Sequence, residues 1–207
     1  MTAILANGDF PAEGTEAHRM LSCAGRVVAC DGAAANFIKA FGRPPAAVVG
    51  DLDSLPPALL PALHGCEIAI VSEQETNDLE KAVRFCRERG WLPATIFGAT
   101  GKREDHTIGN IFRALDCGQE IVTGYGRFTP VEGRASFKTK PGASFSVFAT
   151  DPATRVKSQG LKWPLDNVRF ANLHCATLNV ACAGEVVLES THRIYVYTAF
   201  ENSGARQ

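Results

Sequence analysis

Five times in its first 119 residues the chain sets a short apolar run, then a turn, then a stretch with helical spacing. "TAILA" precedes "GTEAHRMLSCA", "RVVAC" precedes "AAANFIKAF", and "AAVVG" precedes "PPALLPALH". "EIAIV" precedes "NDLEKAVRFCRERG", and "ATIFGA" precedes "DHTIGNIFRALDCG". Leu79, Ala82, Val83 and Cys86 recur at helical intervals and share one face; Ile108, Ile111, Phe112 and Leu115 share another. Strand–helix units in series predict a mostly parallel sheet covered by helices.

Near residue 120 the pattern changes. "EIVTGYG", "RASFKTK", "SFSVFAT", "RVKSQGLKW", "VRFANL", "TLNVACA", "EVVLES" and "RIYVYTAF" are short, β-rich and mostly parted by Gly, Pro, Asp or Asn. Regular strands without helices predict an antiparallel sandwich or barrel. The expected organisation is therefore an α/β domain over residues 1–119 and an all-β domain over 120–207, with a tight junction near Asp116 to Gln119. The tail "ENSGARQ" is polar and is expected to fray.

Composition narrows the function classes. A formal net charge of −1 argues against a broad nucleic-acid surface, because phosphate binding draws on clustered excess cations. No apolar run is long enough to span a bilayer, and the N-terminus has neither the basic leader nor the length of a signal peptide. The seven cysteines are odd in number and lack C-x-x-C spacing, which fits thiols in a reducing cytoplasm.

The turns after the strands carry the chemistry. Asn7-Gly8-Asp9, Asp31-Gly32, Asp51-Leu52-Asp53-Ser54, "SEQETND" ending in Asp78, and "TGKRED" ending in Asp105 each follow one run. Parallel strands bring their carboxyl ends to one edge, where open α/β sheets bind ligands. Asp31, Asp51, Asp53, Asp78 and Asp105 are thus expected around one crevice. Gathered carboxylates repel one another unless a divalent cation joins them. Magnesium suits carboxylate, water and phosphate oxygens. Lys102 and Arg103 suit phosphate oxygens. "GATGKREDHT" is not a P-loop: only two residues separate Gly98 from Gly101, and Arg103 stands where a hydroxyl would be needed. Acids for a metal, with cations and glycine-rich turns for phosphate, point to phosphoryl or diphosphoryl transfer.

Plainer roles compete. Asn77-x-x-Glu80 fits a capping-box variant, which would leave Asp78 in a first helical turn. Asp31-Gly32 fits a turn. Asp51 and Asp53, two apart in an extended stretch, would face the same side. His106 is the one histidine near these motifs, and no G-x-S-x-G nucleophile is present.

"GDLDS" (50–54), "TNDLEKA" (76–82) and "GATGKREDHTIGNI" (98–111), in that order, closely resemble thiamine pyrophosphokinases, and "CDGAA" (30–34) and "GLKWPL" (160–165) add to the likeness. The resemblance runs from Asn7 to about Tyr197. It implies a Rossmann-like α/β domain followed by a β-sandwich, in a homodimer that moves diphosphate from ATP to thiamine and releases AMP. It implies Mg²⁺ on Asp51 and Asp53, with Asp78 and Asp105 completing the acidic cluster. Gln74 and Thr76 would lie beside substrate and Asn77 would shape their loop. Asp31, Gly98, Thr100, Gly101, Arg103 and Asp105 would form the ATP site. Trp163 would stack on the thiamine of the neighbouring subunit, whose site lies at the subunit interface, and Asn179 would join it.

Two departures stand out. Lys102 replaces a common glycine, and Thr177-Leu178-Asn179 lacks the serine that usually precedes the asparagine. The second leaves open a diphosphokinase for another heterocyclic alcohol, such as a hydroxymethyl pterin; a nucleotide-binding module without catalysis is a further alternative. For thiamine, the primary hydroxyl would attack the β-phosphorus, with Asp78 or Asp105 accepting its proton.

Overall fold

The computed structural model describes residues 1–200, so the expected polar tail lies outside the described residues. The chain divides into two compact units, Met1–Gly124 and a second beginning at Tyr125.

In the first unit the expected strand–helix series is present. Its strands are Thr2–Leu5 (β1), Arg26–Cys30 (β2), Ala47–Gly50 (β3), Glu67–Ile70 (β4), Ala94–Phe97 (β5) and Glu120–Val122 (β6). Its helices are Glu16–Ser22 (α1), Asp31–Phe41 (α2), Asp78–Glu88 (α3) and Glu104–Cys117 (α4). The third connection is a 3₁₀ helix, Pro57–Leu63, because Pro61 inside it cannot donate to an α-helical ladder. All pairs within this unit are parallel, in the order β6-β5-β1-β2-β3-β4. The order reverses between β1 and β5, and such a reversal opens a crevice at the carboxyl ends of the strands. Thr2–Leu5 is buried on both faces, as strands between helical layers are. The α3 face read from the sequence, Leu79, Ala82, Val83 and Cys86, is buried. On α4 the expectation holds less well: Leu115 is buried but Ile108 is 57% exposed.

The division falls five residues later than the expected 119/120 boundary. Glu120–Val122, grouped by sequence with the β-rich part, pairs in parallel with β5 and so completes the first sheet.

The second unit contains Gly126–Lys138 (β7), Ser144–Phe148 (β8), Val156–Gln159 (β9), Ala176–Val180 (β10) and Glu185–Ala199 (β11), all paired antiparallel. β11 is its spine. Its whole length pairs with β7, its first half with β9 and its second half with β8. "EVVLES" and "RIYVYTAF" are therefore one strand, and the residues between them form a bulge where the register shifts between Ser190 and Ile194. "VRFANL" is irregular loop rather than a strand. Phe145, Val147, Val156, Leu188, Ile194 and Val196, from three strands, share one buried core. Along the chain, then, an α/β unit with a parallel sheet is followed by an antiparallel β unit.

Candidate active site

At the β1/β5 reversal two loops are stitched together. Ala6 N donates to Phe97 O (2.8 Å), Gly8 N to Gly98 O (2.7 Å) and Asp9 N to Thr100 O (2.8 Å). Glycine is needed at both edges of this seam. A Cβ on Gly8 would collide with the carbonyl oxygens of Gly98 and Thr100. Gly101 has φ +85°, and a Cβ there would run into the Asp9 carboxylate. Gly98 and Thr100, expected at ATP, thus build the seam through their carbonyls.

Beside the seam lies a cavity of about 430 Å³, walled by the residues that follow β1, β3, β4 and β5. Asp51, Gln74, Thr76, Asn77 and Asp78 line it, as do Gly101 and Arg103. Asp31, Asp53, Gly98, Thr100 and Asp105 lie outside the lining. Trp163 and Asn179 belong to the second unit.

Asp31 opens α2 and is 2% exposed. Its Oδ1 accepts from Gly32 N (2.6 Å) and its Oδ2 from Ser54 N (3.4 Å). Burial pushes its carboxyl above the ordinary range, and the nearby charges of Asp78 and Asp51 add to this. Asp51 behaves oppositely. Its Oδ1 accepts from Asp53 N (3.2 Å) and its Oδ2 from Gln74 Nε2 (3.2 Å), and these bonds hold it below the usual carboxylate range.

The Asp51–Asp53 stretch is not extended, which corrects the expected arrangement. Leu52 has φ +69°, and the chain curls so that the Asp51 carboxylate caps the Asp53 N–H. The two side chains therefore do not share a face by alternation, and Asp53 is exposed.

Gln74 and Thr76 are presented by a tight loop built on Glu73. Its carboxylate accepts from Glu75 N (2.9 Å), Thr76 N (3.0 Å), the Thr76 hydroxyl and Arg84 NH2 (3.0 Å). The Thr76 hydroxyl and Arg84, in that order, push Glu73 down to about 2. Asn77 is the N-cap of α3, with Oδ1 accepting from Glu80 N (3.0 Å), as the capping pattern predicts. Asp78 is the first residue of that helix and also lines the cavity, so a place in the first helical turn does not take it out of the cavity wall.

Asp105 is placed differently. Arg103 donates to it twice, Nε to Oδ1 (3.0 Å) and NH2 to Oδ2 (2.6 Å), and this partner holds Asp105 down at about 2. Both side chains are about two-thirds exposed.

Asn7 and Gly8, from the turn after β1, line the cavity as well; so do Lys81 and Asn110, which were not singled out for the site from the sequence. Asn110 Nδ2 donates to Ala99 O (2.9 Å) and its Oδ1 accepts from Asn77 Nδ2 (3.0 Å), which ties the α3 N-terminus to the β5 loop through α4. Lys81, 2% exposed, reaches Asp78 Oδ1 at 3.4 Å, the i,i+3 spacing that helical ion pairs use.

Among the described residues no three His, Cys, Asp or Glu side chains converge to hold a metal. Magnesium seldom needs such a cage; it is commonly held by one or two carboxylates, substrate phosphates and water. Asp51, ionised and facing the cavity, fits that mode of binding.

In the second unit, Trp163 is 52% exposed, with Lys162 Nζ 4.7 Å from its ring centroid. Asn179 is 4% exposed and grips the Trp163 main chain from both sides. Its Oδ1 accepts from Trp163 N (3.2 Å) and its Nδ2 donates to Trp163 O (2.7 Å).

Loops that follow parallel strands thus bring carboxylates and cations to one cavity at a strand-order reversal, an arrangement suited to phosphate chemistry. Residues 17–123 match the thiamin pyrophosphokinase catalytic domain, and residues 126–197 match the thiamin pyrophosphokinase substrate-binding domain. The chain belongs to the thiamin pyrophosphokinase family. No curated protein matches it significantly in sequence. Among solved structures it resembles thiamin pyrophosphokinase from Geobacillus thermodenitrificans (22% identity, 98% of this chain and 99% of that one, TM-score 0.78). It also resembles thiamin pyrophosphokinase from Candida albicans (15% identity, 97% and 90%, TM-score 0.78) and from yeast (15%, 96% and 86%, TM-score 0.77). At these identities the likeness is one of fold.

Proposed function

We propose that the chain transfers diphosphate from ATP to the primary hydroxyl of thiamine in a magnesium-dependent reaction, giving thiamine diphosphate and AMP. The observation that carries this reading is the match of consecutive segments to the catalytic and the substrate-binding domain of one family.

The residues support a division of labour. Asp51 would hold magnesium, with Asp53 next to it in the same turn; the ion would neutralise charge on the polyphosphate. Gln74 holds Asp51 in place through its carboxamide. Lys102 and Arg103, in the loop after β5, line the cavity and suit phosphate oxygens. The thiamine hydroxyl needs an acceptor for its proton as its oxygen bonds to the β-phosphorus and AMP departs. Asp78 lines the cavity, whereas Asp105 lies outside it, tied to Arg103 and held near 2. A carboxylate so held is a weak base, so Asp78 is the better acceptor.

The second unit is read as the family's sandwich, and the protein as a homodimer. In that assembly, Trp163 would stack on thiamine whose phosphate-accepting end lies in the partner's cavity. Its half-exposed ring, in a loop fixed by Asn179, supports the reading. Seven free cysteines are consistent with a reducing cytoplasm.

Purified protein given Mg²⁺, ATP and thiamine should form thiamine diphosphate and AMP in equal amounts. Formation of ADP and thiamine monophosphate instead would overturn the β-phosphorus assignment. For the shared site, Trp163→Ala mixed with Asp51→Asn after subunit exchange should regain activity, because some heterodimers then contain one intact site. No regain after proven exchange would refute it.

A further inference from the structure

Three cations line the cavity, and they are not equivalent. Lys81 is buried against Asp78. Arg103 is engaged by both oxygens of Asp105. Lys102 alone meets only neutral oxygen: its Nζ donates to Asn7 O (2.8 Å) and to Asn7 Oδ1 (3.1 Å). Among the described residues no carboxylate pairs with it. Its charge stands exposed at the β1/β5 reversal, bridging the loop after β1 to the loop after β5.

The backbone gives a second, independent sign. Lys102 has φ +61°, a left-handed conformation that a lysine adopts at a cost and a glycine adopts freely. Strain retained where a smaller residue would relieve it is a mark of a working position. Asn7 offers the ammonium hydrogen bonds but no opposite charge; a phosphate oxygen offers both, so it can take the ammonium from Asn7.

We infer that Lys102 is a polyphosphate-binding residue held in waiting on Asn7: the polyphosphate chain of the nucleotide takes the ammonium from Asn7, so this side chain distinguishes nucleoside triphosphate from monophosphate. The inference rests on the proposed use of ATP and adds to it a residue particular to this chain. The transfer is an exchange of hydrogen bonds, with no covalent change. It also bears on turnover, since the AMP left after transfer lacks the diphosphate that Lys102 holds and dissociates without opposing that contact.

Calorimetric titration of the whole protein with ATP, with AMP and with inorganic tripolyphosphate tests this. Lys102→Gly accepts the backbone conformation without strain, so its melting temperature should equal or exceed that of wild type. It should bind ATP and tripolyphosphate roughly tenfold or more weakly, as loss of a charged hydrogen bond predicts, and AMP about as tightly as wild type. Lys102→Arg should recover most of the tripolyphosphate affinity. Unchanged ATP binding in Lys102→Gly, or equal weakening of ATP and AMP, would overturn the inference. Wild-type product analysis is run alongside. A wild type that binds ATP without making thiamine diphosphate would fail the reading of the reaction, while the comparison of ATP with AMP still decides the role of Lys102.

Discussion

Replacing Asn179 by alanine separates two roles that sequence likeness merges. Family resemblance places Asn179 at the substrate, yet the side chain is 4% exposed and both ends of its carboxamide hold the Trp163 main chain. Its Oδ1 also accepts from Val180 N (2.9 Å). Truncation deletes the bonds to Trp163 N, Trp163 O and Val180 N. A typical protein hydrogen bond contributes about 1 kcal/mol net, and more when a partner is left unpaired in the interior. Trp163 is half-exposed, so water replaces part of what is lost, and the expected cost is about 2 kcal/mol. For a chain of this size that lowers the melting temperature by roughly 4–8 °C. The loosened loop should also raise the KM for thiamine while leaving the KM for ATP near wild type. Differential scanning calorimetry and initial rates at varied thiamine and ATP are the assays. An unaltered melting temperature together with a raised thiamine KM would refute the argument, for it would mean that Asn179 touches substrate and does not hold the loop.

Asp51→Asn should lower turnover at least about a hundredfold, as loss of a charge aimed at the reacting groups does, with a melting curve close to wild type; a large fall in melting temperature would reveal a structural role instead. Asp31 should respond to pH. Burial raises its folded value, so the folded chain holds the proton more tightly, and the ionised form costs stability at neutral pH. That cost fades as pH falls through the folded value towards the unfolded one, about 3.9. Asp31→Asn should therefore melt above wild type at pH 7.5, with the gap closing towards pH 4; a variant that melts lower at pH 7.5 would contradict this.

The first unit was legible because both periods in its sequence have direct physical causes. Strands buried on both faces are apolar throughout, and helices on a sheet repeat their apolar residues at 3.6. Leu79, Ala82, Val83 and Cys86 could thus be assigned to a core before any neighbour was known. Ile108 could not, since periodicity marks a face without saying what covers it. In the second unit, turn residues misled. Gly133, at φ +75°, and Thr191 lie within β7 and β11, where they read as breaks. The placement of acids after strands brought out Asp51 and Asp78, because topology alone carries them to the cavity. The curl at Leu52 was hidden, as leucine has no preference for positive φ. Lys81 and Asn110 were hidden too: each sits within a helix, and only the packing of α3 and α4 shows what it reaches.

β11 partners β7, β8 and β9, yet follows all three in the chain. During synthesis those strands emerge before the one that completes their ladders. Every strand of the α/β unit, by contrast, pairs within Met1–Gly124. The growing polypeptide can therefore close its first unit early, while within the second only the β8–β10 ladder can form before β11 arrives. A ribosome stalled before Glu185 would display a protease-resistant α/β unit followed by a cleavable segment, and release of β11 would mark the moment at which that segment becomes resistant.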